Sequence, residues 1–130
     1  MHVKTLAAVL VLAFTWLAFG SAYAHGDHKP KHGGTVGRGD DEIVIEFVME
    51  KGTMTLYVED EDGKPIATKD VKGTLTLIAP QRSGHEVKLV SAGDNKFTAP
   101  GLKPVPGDRL RARITLPSGE ELESVSLVSK

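Results

Sequence analysis

From Ile43 onward apolar and polar residues alternate with a period of two, a pattern that suits strands and that no helix with its 3.6-residue turn can use. Ile43 to Met49 and Thr53 to Val58 read as two strands joined at Lys51-Gly52, a two-residue hairpin loop. That loop sets Met49 opposite Met54, Phe47 opposite Leu56 and Ile45 opposite Val58. Glu46, Glu50, Thr53, Thr55, Tyr57 and Glu59 then share the other side. Val44 and Val48 also fall on that second side, which predicts that part of it is covered. Asp60-Glu61-Asp62-Gly63-Lys64-Pro65 reads as a turn. Further strands are expected over Thr74 to Ala79, His85 to Val90, Lys96 to Ala99, Arg109 to Leu116 and Leu122 to Val128. Ala112 and Ile114 keep the alternation, whereas Leu122 is out of phase with Val125 and Leu127, which predicts a bulge near Ser124. With no helical periodicity anywhere, the expectation is an all-β fold: an antiparallel immunoglobulin-like β-sandwich of seven or eight strands behind a flexible N-terminal tail. A small closed barrel is the alternative.

The N-terminus reads differently. A basic start with His2 and Lys4, an apolar run from Leu6 to Phe19 and the small residues of Gly20-Ser21-Ala22-Tyr23-Ala24 form the pattern of a secretory signal cleaved after Ala24. The apolar run falls short of the roughly 20 residues of a membrane-spanning helix. Residues 1–24 are therefore expected to be a signal peptide, 25–41 a flexible His/Gly-rich tail and 42–130 one sandwich domain in the periplasm. Cleavage removes Lys4 alone among the Lys, Arg, Asp and Glu residues and leaves a formal charge of about −2, which predicts neither a nucleic-acid partner nor membrane insertion. The chain has no cysteine, so apolar burial must hold the exported domain together, and thiolate metal sites are excluded.

From His25 to Asp41 the chain is rich in Gly and nearly free of apolar residues, too little to offset the entropy of ordering. It is expected to be mobile to Thr35 or beyond. Processing after Ala24 would put an imidazole and a free α-amine on His25, and a metal can displace that amine's proton near neutral pH. His28, His32 and the carboxylate of Asp27 follow within reach. These donors suit Cu(II), Zn(II) or Ni(II) better than Ca(II) or Mg(II), with Cu(II) binding tightest. The bland alternative is a soluble leader. His85, after Ser83-Gly84 at the start of a strand, should be partly exposed; it is a possible fifth ligand or an ordinary surface residue.

Other features point elsewhere. Met49 and Met54 have the softness for Cu(I), yet their shared face with Phe47 and Leu56 reads as core. The run Glu59-Asp60-Glu61-Asp62 lacks the remaining ligands of a calcium loop and reads as a solvated turn. Arg38-Gly39-Asp40 is too short a motif to carry weight. No nucleophile motif accompanies His85, so an enzyme is not expected.

His32-Gly33-Gly34-x-Val36, Ile45-Glu46-Phe47-Val48, Thr55-Leu56-Tyr57-Val58, Asp62-Gly63-Lys64-Pro65, Gly73-Thr74-Leu75-Thr76-Leu77 and Gly93-Asp94-Asn95-Lys96-Phe97 together resemble a family. It comprises small periplasmic domains found alone or beside adaptor subunits of heavy-metal efflux systems. The resemblance implies a setting of metal resistance, with an efflux adaptor subunit as a possible partner, and places His25, His28 and His32 at the family's histidine-rich leader. The expectation is thus a metal-binding protein acting in sequestration, handover or efflux. The runner-up is an interaction module, without metal, that docks on a transporter or envelope partner.

Overall fold

A computed structural model describes residues 28–128. The signal-peptide residues, His25 and Asp27 lie outside the described residues. Those described contain no helix and form ten strands in two antiparallel sheets of five. These are β1 (Thr35–Val36), β2 (Arg38–Gly39), β3 (Ile43–Glu50), β4 (Thr53–Asp60), β5 (Lys72–Ile78), β6 (His85–Lys88), β7 (Val90–Ser91), β8 (Lys96–Ala99), β9 (Arg109–Thr115) and β10 (Glu121–Leu127). The first sheet runs in the order β1-β3-β4-β8-β7 and the second in the order β2-β10-β9-β5-β6.

The β3–β4 hairpin has the register that the alternation predicts, with Met49 opposite Met54, Phe47 opposite Leu56 and Ile45 opposite Val58. Lys51 and Gly52 both take positive φ, 51° and 79°, the twist that a tight two-residue hairpin requires. Ile45, Leu56, Val58 and Phe97 from the first sheet meet Leu75, Leu110, Ala112 and Ile114 from the second in one sandwich-like core. Met54 joins that core, but Met49, at the hairpin tip, is 48% exposed.

The strands beyond the expected seven or eight arise where the chain changes sheet. At one side β1 pairs with β3, Gly37 donates its N–H to the Ile45 carbonyl at 2.9 Å, and β2 then joins β10 of the other sheet. At the opposite side the expected strand from His85 to Val90 is split. β6 pairs with β5, Leu89 is buried, and β7 crosses to pair with β8. Each open side of the sandwich is thereby bridged by a segment that belongs to both sheets, and the expected tail contributes Thr35–Gly39 to the fold.

The expected bulge near Ser124 is absent. β10 pairs with β9 without interruption from Glu121 to Leu127, so Leu122, Ser124 and Ser126 point inward and Leu127 is 58% exposed. The reason is steric: Gly37 passes against the Ser124 hydroxyl and the Phe47 ring, leaving room for only a small side chain there. A Cβ at residue 37 would overlap both groups. Gly37→Ala should therefore lower stability by about 1–3 kcal/mol, read as a lower urea midpoint at unchanged slope.

Candidate functional site

Strand register places Val36, Glu46, Tyr57 and Lys96 in one row across the outer face of the first sheet. A charged residue in such a row ordinarily faces water. Glu46 does not, being 5% exposed, and its neighbours Val44 and Val48 on the same face are each 7% exposed. Residues 31–34 cover Glu46 and, through Gly34, Val48. Just ahead of β1 the chain lies over β3 and β4, and the Glu46 carboxylate accepts three backbone N–H groups from it. Lys31 donates at 2.8 Å, His32 at 2.9 Å and Gly34 at 2.9 Å.

Backbone N–H groups converge in this way only if the chain turns through the left-handed region, which Gly33 does at φ 75°. Gly34, without a side chain, lies against Val48. The strap is held further by Lys31, which pairs with Glu59 of β4. The sequence correctly implies a covered second side, and the structure identifies the cover as part of the tail.

His32 sits at the centre of this arrangement. Its ring stacks on Tyr57, centroids 3.6 Å apart and planes 3° from parallel, and its Nδ1 lies 3.1 Å from Glu46 Oε1. Its side chain is 39% exposed. Beyond Tyr57, Glu50 accepts the phenol hydroxyl and pairs with Lys96 at 3.3 Å. The bond from Tyr57 holds Glu50 below the usual carboxylate range, and the same bond raises the phenol above its own. For Glu46, burial pushes the carboxyl up, but the backbone bonds from Lys31 and Gly34 and those from His32 together outweigh it, so the group is held low.

His28 and His85, the other expected ligands among the described residues, are not gathered around His32. His28 is exposed and lines a cleft with Asp40, Asp41 and Glu61 at one end of the sandwich. That end is acidic: the Glu42 carboxyl is raised above its usual range, chiefly by its bond to Glu120 and then by the charges of Glu120, Asp40 and Glu61. His85 opens β6 at the far edge of the second sheet, exposed as its sequence context implies and remote from the strap in the sheet order. Among the described residues no three His, Asp or Glu side chains form a group able to hold a metal ion.

Sequence reasoning did not single out Glu46, Tyr57 or Glu50. The usable signal was Val44-Ile45-Glu46-Phe47-Val48, in which a carboxylate lies between two valines on one face and must be buried if they are. Compared with models of protein families, with curated proteins and with solved structures, the chain matches none of them.

Because Glu46 titrates lower when the strap is docked than when it is free, docking gains from the carboxylate above the ordinary glutamate range. It loses that gain as pH falls through the lowered value. The amide resonances of Lys31, His32 and Gly34 should therefore shift together in acid, with a midpoint below that of a free glutamate. Glu46→Gln should leave these amides at undocked positions already at neutral pH and cost about 1–3 kcal/mol of stability in denaturant unfolding.

Proposed function

We propose that the protein binds a divalent transition metal in the periplasm, Cu(II) foremost and Zn(II) or Ni(II) after it, and acts in sequestration, handover or efflux. The role is one of binding, and no catalysis is assigned to it. On this reading an immunoglobulin-like sandwich serves as the carrier, and an efflux adaptor subunit is the natural recipient.

The observation that supports the reading is the pairing of Glu46 with His32. An ionised carboxylate can only accept, so Nδ1 of His32 must carry the proton in that bond, and in the neutral ring Nε2 then holds the free lone pair. A carboxylate behind one imidazole nitrogen is the arrangement that orients a metal-ligating histidine and raises its basicity at the other. The strap makes His32 a fixed donor on a partly exposed ring. His28 stands free four residues earlier, and His25 with its α-amine and the Asp27 carboxylate would complete the set from the preceding segment. His85, on the other sheet, takes no part. The donors are imidazole, amine and carboxylate, which favour Cu(II) by the Irving–Williams order.

A second reading, an envelope interaction module that needs no metal, draws on the second sheet, over whose outer face none of the described residues folds as a comparable strap.

Titration of the processed protein with Cu(II) tests the metal reading. Changing His25, His28 and His32 together to Ala should abolish tight binding, and equal affinity in the two proteins would end the proposal. Glu46→Gln, with every ligand intact, should weaken binding by about 10–100-fold, the usual cost of losing a partner behind a metal-bound histidine. One extra residue ahead of His25 should also weaken it, because the α-amine would be displaced.

A further inference from the structure

The outer face of the second sheet differs in chemistry from that of the first. Leu110, Ala112 and Ile114 point into the core, so Arg109, Arg111 and Arg113 project outward from β9, whose strand lies between β10 and β5. Residues two apart on a strand stand about 6.6–7 Å from one another, so the three arginines leave β9 at even intervals, as a ladder of side-chain origins.

Cross-strand register widens it. Arg38 lies in one row with Val125 and Arg111, and Lys88 lies in the next row with Thr74 and Arg113. With Lys72, opposite Thr115, the face holds six bases against three acids, Glu86, Glu121 and Glu123, in a chain whose overall formal charge is −1.

Internal pairing does not use up these charges. Glu123 serves two of the arginines, with Arg111 Nε and Arg113 each at 3.4 Å. Among the described residues Arg38 and Arg109 form no ion pair, and both are exposed. The row that holds Arg109 ends on Leu127, one of the few large apolar side chains left in water, and a shallow groove runs between Arg38, Arg109, Val125 and Leu127.

We propose that this face binds an extended acidic segment of a partner protein, with carboxylates at alternate residues and an apolar residue over Leu127. An extended chain repeats its same-side residues at the spacing of the ladder, so each carboxylate can meet one guanidinium in a two-point hydrogen-bonded pair. The excess positive charge draws such a segment in, and the strand register of the arginines sets its alignment.

The test uses the processed full chain in the presence of EDTA, so that its outcome is separate from any metal binding. Two short fluorescein-labelled peptides of equal composition serve as probes, one alternating Glu with Thr and one with its Glu residues in a single block. The alternating peptide should bind at least about tenfold tighter than the block, and its affinity should fall as NaCl is raised. A variant carrying Arg38→Gln, Arg109→Gln and Arg113→Gln should lose at least about tenfold in affinity. Should that variant unfold, Arg109→Gln alone, at a side chain without an ion pair, should still weaken binding measurably. No binding of either peptide, equal binding of both, or undiminished binding by a folded variant would overturn the proposal. Tight binding of heparin or phosphatidylglycerol vesicles without the alternating peptide would overturn it as well, in favour of a non-protein polyanion.

Discussion

The carboxylate of Glu46 is the interaction on which the rest of the structure turns. Left alone, a charge at 5% exposure between Val44 and Val48 would be strongly destabilising, because burial removes its hydration and gives nothing back. The N–H groups of Lys31, His32 and Gly34, with the His32 ring, replace that lost water. The dependence is mutual. Residues 31–34 have little apolar side-chain surface to bury beyond the His32 ring on Tyr57, so the charge-assisted bonds to Glu46, with the Lys31–Glu59 pair, hold them to the sheet. Once held, they lie against Val48 and set the path by which the chain enters β1.

That path has consequences on the far side of the sandwich. From β1 the chain moves at Gly37 to the other sheet, and the Asp40 carboxylate accepts the Glu123 N–H at 2.8 Å, extending the attachment past β2. The opposite side is bridged in the same manner where Leu89 turns inward between β6 and β7. Bridging both sides limits the exposed backbone edges that make open sheets liable to pair with other chains. It also leaves two outer faces of unlike character: the first sheet's is overlaid by the strap and organised around a histidine, while the second presents its arginines directly to solvent. A metal ion and an acidic polypeptide would thus address different sheets and need not compete.

Much of the fold was legible in the residues. The β3–β4 register followed from the two-residue loop and the side-chain period, because a slip of one position would turn every core residue outward. The inward phase of Ala112 and Ile114 was equally plain. From Thr35 onward the tail enters the fold, although its many glycines and few apolar residues predict mobility. In the structure Gly37 is there for space, since the chain runs so close to Ser124 and Phe47 that a side chain would collide. β10 runs without a bulge at Ser124 for a related reason: part of its inner face receives a crossing backbone and needs small side chains where the alternation alone calls for large apolar ones.

What the sequence determined by itself was local: strands in place of helices, the hairpin and its pairing, the acidic turn after Glu59, and the presence of imidazoles ahead of the domain. Those properties depend on side-chain period and turn chemistry within a few residues. Tertiary structure alone decided which polar groups are buried, that His32 is held by Glu46 while His28 and His85 lie apart, and that residues 31–34 lie over one outer face while arginines line the other. Each of these depends on which distant segment lies over a given face. Side-chain alternation can say that a residue points away from the core, but whether water or another stretch of chain waits there is settled only when the whole molecule has folded.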